Sequence, residues 1–136
     1  MLQRDYLLEL IKRFGDGLRE YLLPATLDAD AGSIAEVEDA IGRLIDLDGA
    51  SALSLAPESL VTMMELSGVA DSVAGHASYA LLRLANAYDR AGDPATAQIR
   101  RAQARAVAEA FGATLGAVPD EYRELDREIR DGLGEE

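Results

Sequence analysis

His76 is the chain's one histidine, and there is neither cysteine nor tryptophan. Zinc sites and nucleophilic triads draw first on His and Cys, so most metal and acyl-transfer chemistry has no ligands or bases to use. A Ser-His-Asp arrangement could employ only His76, and no Gly-x-Ser-x-Gly turn accompanies it. Asp28 with Asp30, and Asp46 with Asp48, have the alternation of a calcium loop. Neither stretch supplies the Gly at position six or the Glu at position twelve that such a loop needs, so both read as helix-end solvation. Glycine-rich phosphate loops are missing as well. Carboxylates are numerous, yet their spacing singles out no acid/base pair. His76 therefore reads as an interhelical or surface residue. The expectation is a protein with no catalytic residue, no metal ligand and no cofactor site, hence not an enzyme.

The charge balance narrows the partners. Twenty-five acidic residues against thirteen basic ones leave a net charge of -12, which repels phosphate and argues against nucleic acid. The charge is unevenly spread. Residues 20–71 hold eleven acidic side chains and Arg43 alone as a base, and residues 118–136 are also acidic. Residues 1–19 and 72–117 are slightly basic, with Arg100, Arg101 and Arg105 the densest cluster. That cluster either pairs with the acidic 28–48 region, in the same molecule or a neighbour, or is simply solvated. Hydrophobic residues at 49% and charged ones at 28% exclude a disordered chain, and 136 residues suit one domain. Charges interrupt the first 23 residues, and no apolar run of about 18 residues occurs, so a cytoplasmic protein without a transmembrane segment is expected.

The periodicity predicts an all-α protein of five to six helices. Leu7, Leu10, Ile11, Phe14 and Leu18 recur at helical spacing and make residues 1–23 an amphipathic helix, with Pro24 as its stop. This stripe can close the core, form a dimer seam or lie on a membrane. The mixed polar face speaks against the membrane, and the stripe is the candidate self-association face. Gly15 and Gly17 interrupt it and suggest a kink or a close crossing. Residues 33–68 read as a helical hairpin. Ser33 with Glu36 forms a capping box at its start, and Gly49 is a left-handed cap at its middle. Pro57 opens a short helix packed by Leu60, Val61, Met64 and Leu66. Residues 71–112 read as a second hairpin, with Asp71 as N-cap and Gly92, Asp93 and Pro94 as the turn. Residues 119–132 form a last helix that buries Tyr122, Leu125 and Ile129 and pairs Asp126 with Arg130 on its exposed side.

Residues 78–111 resemble a tetratricopeptide repeat, through Leu84, Ala85, Tyr88, Gly92, Ala97 and Ala104. Two positions depart from that family: Leu81 replaces a large aromatic, and Arg101 replaces the aromatic of the second helix. The resemblance implies an antiparallel helical hairpin whose first helix lines a groove with Tyr79, Leu82, Asn86, Asp89 and Arg90. Of these, Tyr79, Asn86 and Arg90 are the candidate partner-binding residues. Asn86 suits a peptide backbone and Arg90 a carboxylate. With Asp5, Tyr6, Leu7, Leu8 and Ile11 opening the chain, the whole sequence also resembles a family of small bacterial helical proteins with a single such hairpin; that family brings no activity with it. The expected function is a protein–protein interaction or scaffold module, its partner a protein or a second copy in a homodimer. The alternative is a small-ligand sensor or small enzyme using carboxylates and Arg in a bundle pocket.

Overall fold

The structure, a computed structural model, describes residues 2–134; Met1 and the acidic Glu135 and Glu136 lie outside them. The described residues form seven α-helices and one short 3-10 turn, with no strand. The helices are α1 (Leu2–Asp28), α2 (Ala31–Leu44), α3 (Gly49–Leu53), α4 (Pro57–Leu66), α5 (Asp71–Arg90), α6 (Pro94–Phe111) and α7 (Arg123–Leu133). The 3-10 turn, Asp120–Tyr122, leads into α7. α5 is central and packs against α1, α2 and α6, while α4 lies on α6 and α7 on α1. One cluster of buried side chains joins these helices, with Leu18, Leu22, Ile41, Leu60, Leu81 and Ile129 fully enclosed. Each such side chain contributes about 1.5–3 kcal/mol through the apolar surface it removes from water.

The connection between α5 and α6 forms as the residue types dictate. Gly92 takes the left-handed conformation (φ 80°), and Asp93 caps α6 by accepting from the Thr96 amide at 3.1 Å. Pro94 opens α6, where its missing N–H costs nothing. Ala85, Ala97 and Ala104 are fully buried, and their small size lets the two helices approach closely. Ser78 then reaches across to donate to the Ala104 carbonyl at 2.9 Å.

Several boundaries differ from those expected. Pro24 does not stop α1, which runs through it to Asp28. An interior proline costs about 3 kcal/mol. Here Leu22, Ala25 and Thr26 are fully buried beyond or beside it, and the Thr26 hydroxyl donates to the Leu22 carbonyl at 2.8 Å. Asp30, not Ser33, caps α2, accepting from the Ser33 amide at 2.9 Å and its hydroxyl at 2.6 Å. The left-handed residue after α2 is Asp46, not Gly49. Gly49 instead begins α3, an element with no sequence signal beyond Asp48 as its cap. A Cβ on Gly49 would stand 2.6 Å from the Glu38 carbonyl, so glycine is required there by a close backbone approach. Ala70 rather than Asp71 caps α5. Gly17 faces Ala40 of α2 at an ordinary contact distance, so it marks the α1–α2 crossing without requiring glycine. Leu66 does not pack α4, because it is 78% exposed.

Candidate functional site

The site is a cleft of about 440 Å³ between α5, the chain before the 3-10 turn and α7. Tyr79, Leu82, Arg83 and Asn86 of α5 form one wall, and Gly116, Val118, Asp126 and Arg130 form the other. Residues 79, 82, 83 and 86 share one face of α5 because they repeat at three- and four-residue spacing. Tyr122, Leu125 and Ile129 anchor α7 in the core and so present Asp126 to that face.

Asp126 is the electrostatic centre of the cleft. Its Oδ1 accepts from the Tyr79 hydroxyl at 2.6 Å, from Arg83 Nε at 3.0 Å and from Arg83 Nη2 at 2.7 Å. Arg83 Nη1 donates to Asn86 Oδ1 at 3.0 Å, which turns the Asn86 amide nitrogen away from Arg83. Burial pushes the Tyr79 hydroxyl well above its ordinary pKa, and the Asp126 carboxylate adds to the shift. Burial works to lower the Arg83 pKa, but the hydrogen bond and attraction from Asp126 raise it further, so the guanidinium stays charged. Three donors converging on one carboxylate oxygen make a positioning network rather than a free base.

Behind it lies an aromatic cluster. Tyr79 stacks on Tyr122 with centroids 5.4 Å apart, and His76 and Phe14 meet the Tyr122 ring edge-on. His76 Nδ1 and the Tyr122 hydroxyl are 2.6 Å apart. Burial lowers the His76 pKa, with Glu121 opposing the shift from 3.9 Å. A neutral imidazole accepts from Tyr122 through Nδ1 and turns its N–H towards Glu121. His76 does not line the cleft.

The α5 groove residues named from sequence are thus divided. Tyr79, Leu82 and Asn86 line the cleft. Tyr79 is a buried wall residue rather than an exposed contact. Asp89 and Arg90 are exposed beyond it, and Asp89 pairs with Arg101 across the hairpin. In the N-terminal stripe, Phe14 and Leu18 are buried in the chain's own core, whereas Leu7, Leu10 and Ile11 are half-buried against it. The expected exposed pair of Asp126 with Arg130 is a correction: Asp126 is 3% exposed and bonds to Arg83. Its position beside Leu125 and one turn from Ile129 placed it at the edge of the apolar face, the only signal available.

A second buried knot ties α2, α5 and α6. Arg100 donates to Glu38 Oε2 at 2.9 Å and to the Leu53 carbonyl at 2.9 Å. Gln103 donates to the carbonyls of Leu53 and Leu55, both at 3.0 Å. Tyr88 donates to Glu38 at 2.7 Å, and its pKa is pushed up to about 12, first by burial and then by Glu38. Arg100 therefore meets the acidic 28–48 region within its own chain.

No group of three or more His, Cys, Asp or Glu side chains among the described residues could hold a metal ion. Among the same residues, no helix is long and apolar enough to cross a membrane. The chain matches no protein-family model, no curated protein and no solved structure.

Proposed function

We propose that the protein is a non-enzymatic protein-interaction module that takes a short peptide segment of its partner in the α5 cleft. The observation that carries this reading is the cleft itself, open to solvent and walled by Leu82, Asn86 and Val118. Leu82 and Val118 offer an apolar wall to a side chain, and the Asn86 amide nitrogen offers a donor to a peptide carbonyl. Tyr79, Arg83 and Asp126 hold that surface rigid. α5 and α6 act here as a tetratricopeptide-like hairpin.

The second reading is a sensor or small enzyme whose ligand contacts Arg83, Arg130 and Asp126. The charged cleft wall favours it. A displayed peptide library screened against the wild type and against Leu82→Arg separates the two. Peptides bound at about micromolar Kd and lost at least about tenfold in Leu82→Arg support the interaction module. Absence of peptide binding, with a small anion raising the wild-type Tm but not that of Arg130→Ala, would replace it with the sensor.

A further inference from the structure

A separate groove of about 530 Å³ runs along the outer side of α6. Pro57 of α4 and Ala95, Ile99, Ala102, Arg101 and Arg105 of α6 line it, with no acidic residue among its walls. Ile99 is 47% exposed there. Arg101 meets Asp89 on one side, and Arg105 is exposed. An occupant that fits this groove brings an apolar side chain to Ile99 and Ala102 and a carboxylate to the arginines.

The other end of α4 has that chemistry. Leu66 is the most exposed large apolar side chain, and Met63, one turn earlier on the same face, is also exposed. Glu65 stands beside Leu66, and α4 contains Glu58 and Glu65 but no basic residue. The tip of α4 is therefore apolar and acidic, where the groove is apolar and basic. Pro57 and Leu66 are at opposite ends of a ten-residue helix, about 14 Å apart at 1.5 Å per residue. The tip cannot reach the groove of its own chain.

We propose that the α4–α6 groove receives the Met63 and Leu66 tip of a second copy, with Glu65 set against Arg105. The contact joins two different surfaces, so each added copy leaves one tip and one groove unused. Such head-to-tail association builds a ring or an open chain rather than a two-fold dimer. Two arginines on a chain of net charge -12 suit neither a nucleic acid nor an anionic membrane. This association is independent of the α5 cleft, and a failure of peptide binding there leaves it standing.

Sedimentation velocity on the full chain tests it, from about 10 µM to about 1 mM. The wild type is expected to gain mass with concentration. Leu66→Glu (tip) and Ile99→Glu (groove) alter exposed side chains, so both are expected to fold and, each lacking one half of the contact, to remain monomeric. Mixed one to one, they are expected to form a dimer limited to two chains, because the Ile99→Glu tip still fits the Leu66→Glu groove. A wild type that stays monomeric throughout, single variants that associate as the wild type does, or a mixture that stays monomeric would each overturn the proposal.

Discussion

Two buried knots in this molecule each join a tyrosine and an arginine to a carboxylate, and they behave as different objects. In one, Tyr88 and Arg100 converge on Glu38; in the other, Tyr79 and Arg83 converge on Asp126. The Arg100 knot is closed. Arg100 Nη1 donates to the Leu53 carbonyl and to Gln103 Oε1, and Gln103 in turn donates to the Leu53 and Leu55 carbonyls, which fastens the end of α3 and the loop after it to α6. The Arg83 knot stands at the edge of a cleft, and its Nη1 donates to Asn86, another cleft residue. A tyrosine, an arginine and a carboxylate thus make a lock where buried main-chain carbonyls join the set, and a shaped wall where a cleft side chain does. Chemistry alone does not separate the two; the neighbours that satisfy the last hydrogen bonds do.

The difference can be broken experimentally. Arg100→Ala has the largest expected effect, a loss of about 3–5 kcal/mol in urea unfolding, because Glu38 loses its cation and keeps only the neutral Tyr88 hydroxyl, while the Leu53 carbonyl falls back on Gln103. Asp126→Asn keeps the shape of its knot and retains one acceptor oxygen, so a smaller loss of about 2–3 kcal/mol is expected. Hydrogen exchange should show that loss concentrated in α7. If Asp126→Asn costs more than Arg100→Ala, the assignment of lock and wall is reversed.

The smallest effect sharpens the contrast through pH. Only the Arg83 side of the molecule contacts the histidine. Burial disfavours the His76 imidazolium, so between its lowered folded pKa and the ordinary imidazole value of about 6.5 the unfolded chain binds more protons. Stability is then expected to fall as pH drops below about 6.5. Thermal melts between about pH 7.5 and 5 should show this decline in the wild type and a shallower one in His76→Gln. Equal slopes would mean that His76 does not carry the mild-acid sensitivity.

The parts of this fold that were legible in the sequence are those set by local chemistry. Gly92, Asp93 and Pro94 specify their turn within three residues, and the apolar faces of α2, α5 and α7 follow from spacing. What was not legible depends on residues far along the chain. Pro24 is tolerated because Leu22 and Ala25 are buried by other helices. Gly49 is explained by the Glu38 carbonyl, and α3 by the loop it closes. Leu66 fits an amphipathic pattern and still faces solvent at the last position of the short α4. The cleft was half visible: the likeness to a tetratricopeptide repeat grouped Tyr79, Leu82 and Asn86, but nothing local revealed that Asp126 would arrive opposite Arg83.

The three-residue turn between α5 and α6 also orders events in time. Helices joined so closely meet at little loop-closure cost, whereas the knots join residues 43 to 62 positions apart. The α5–α6 pair is therefore suited to be the folding nucleus, onto which α2 and then α7 close late. On this scheme the cleft is the last surface to exist. A chain still emerging from synthesis would display the bare α5 face, with Arg83 not yet covered by its carboxylate, until α7 has been made.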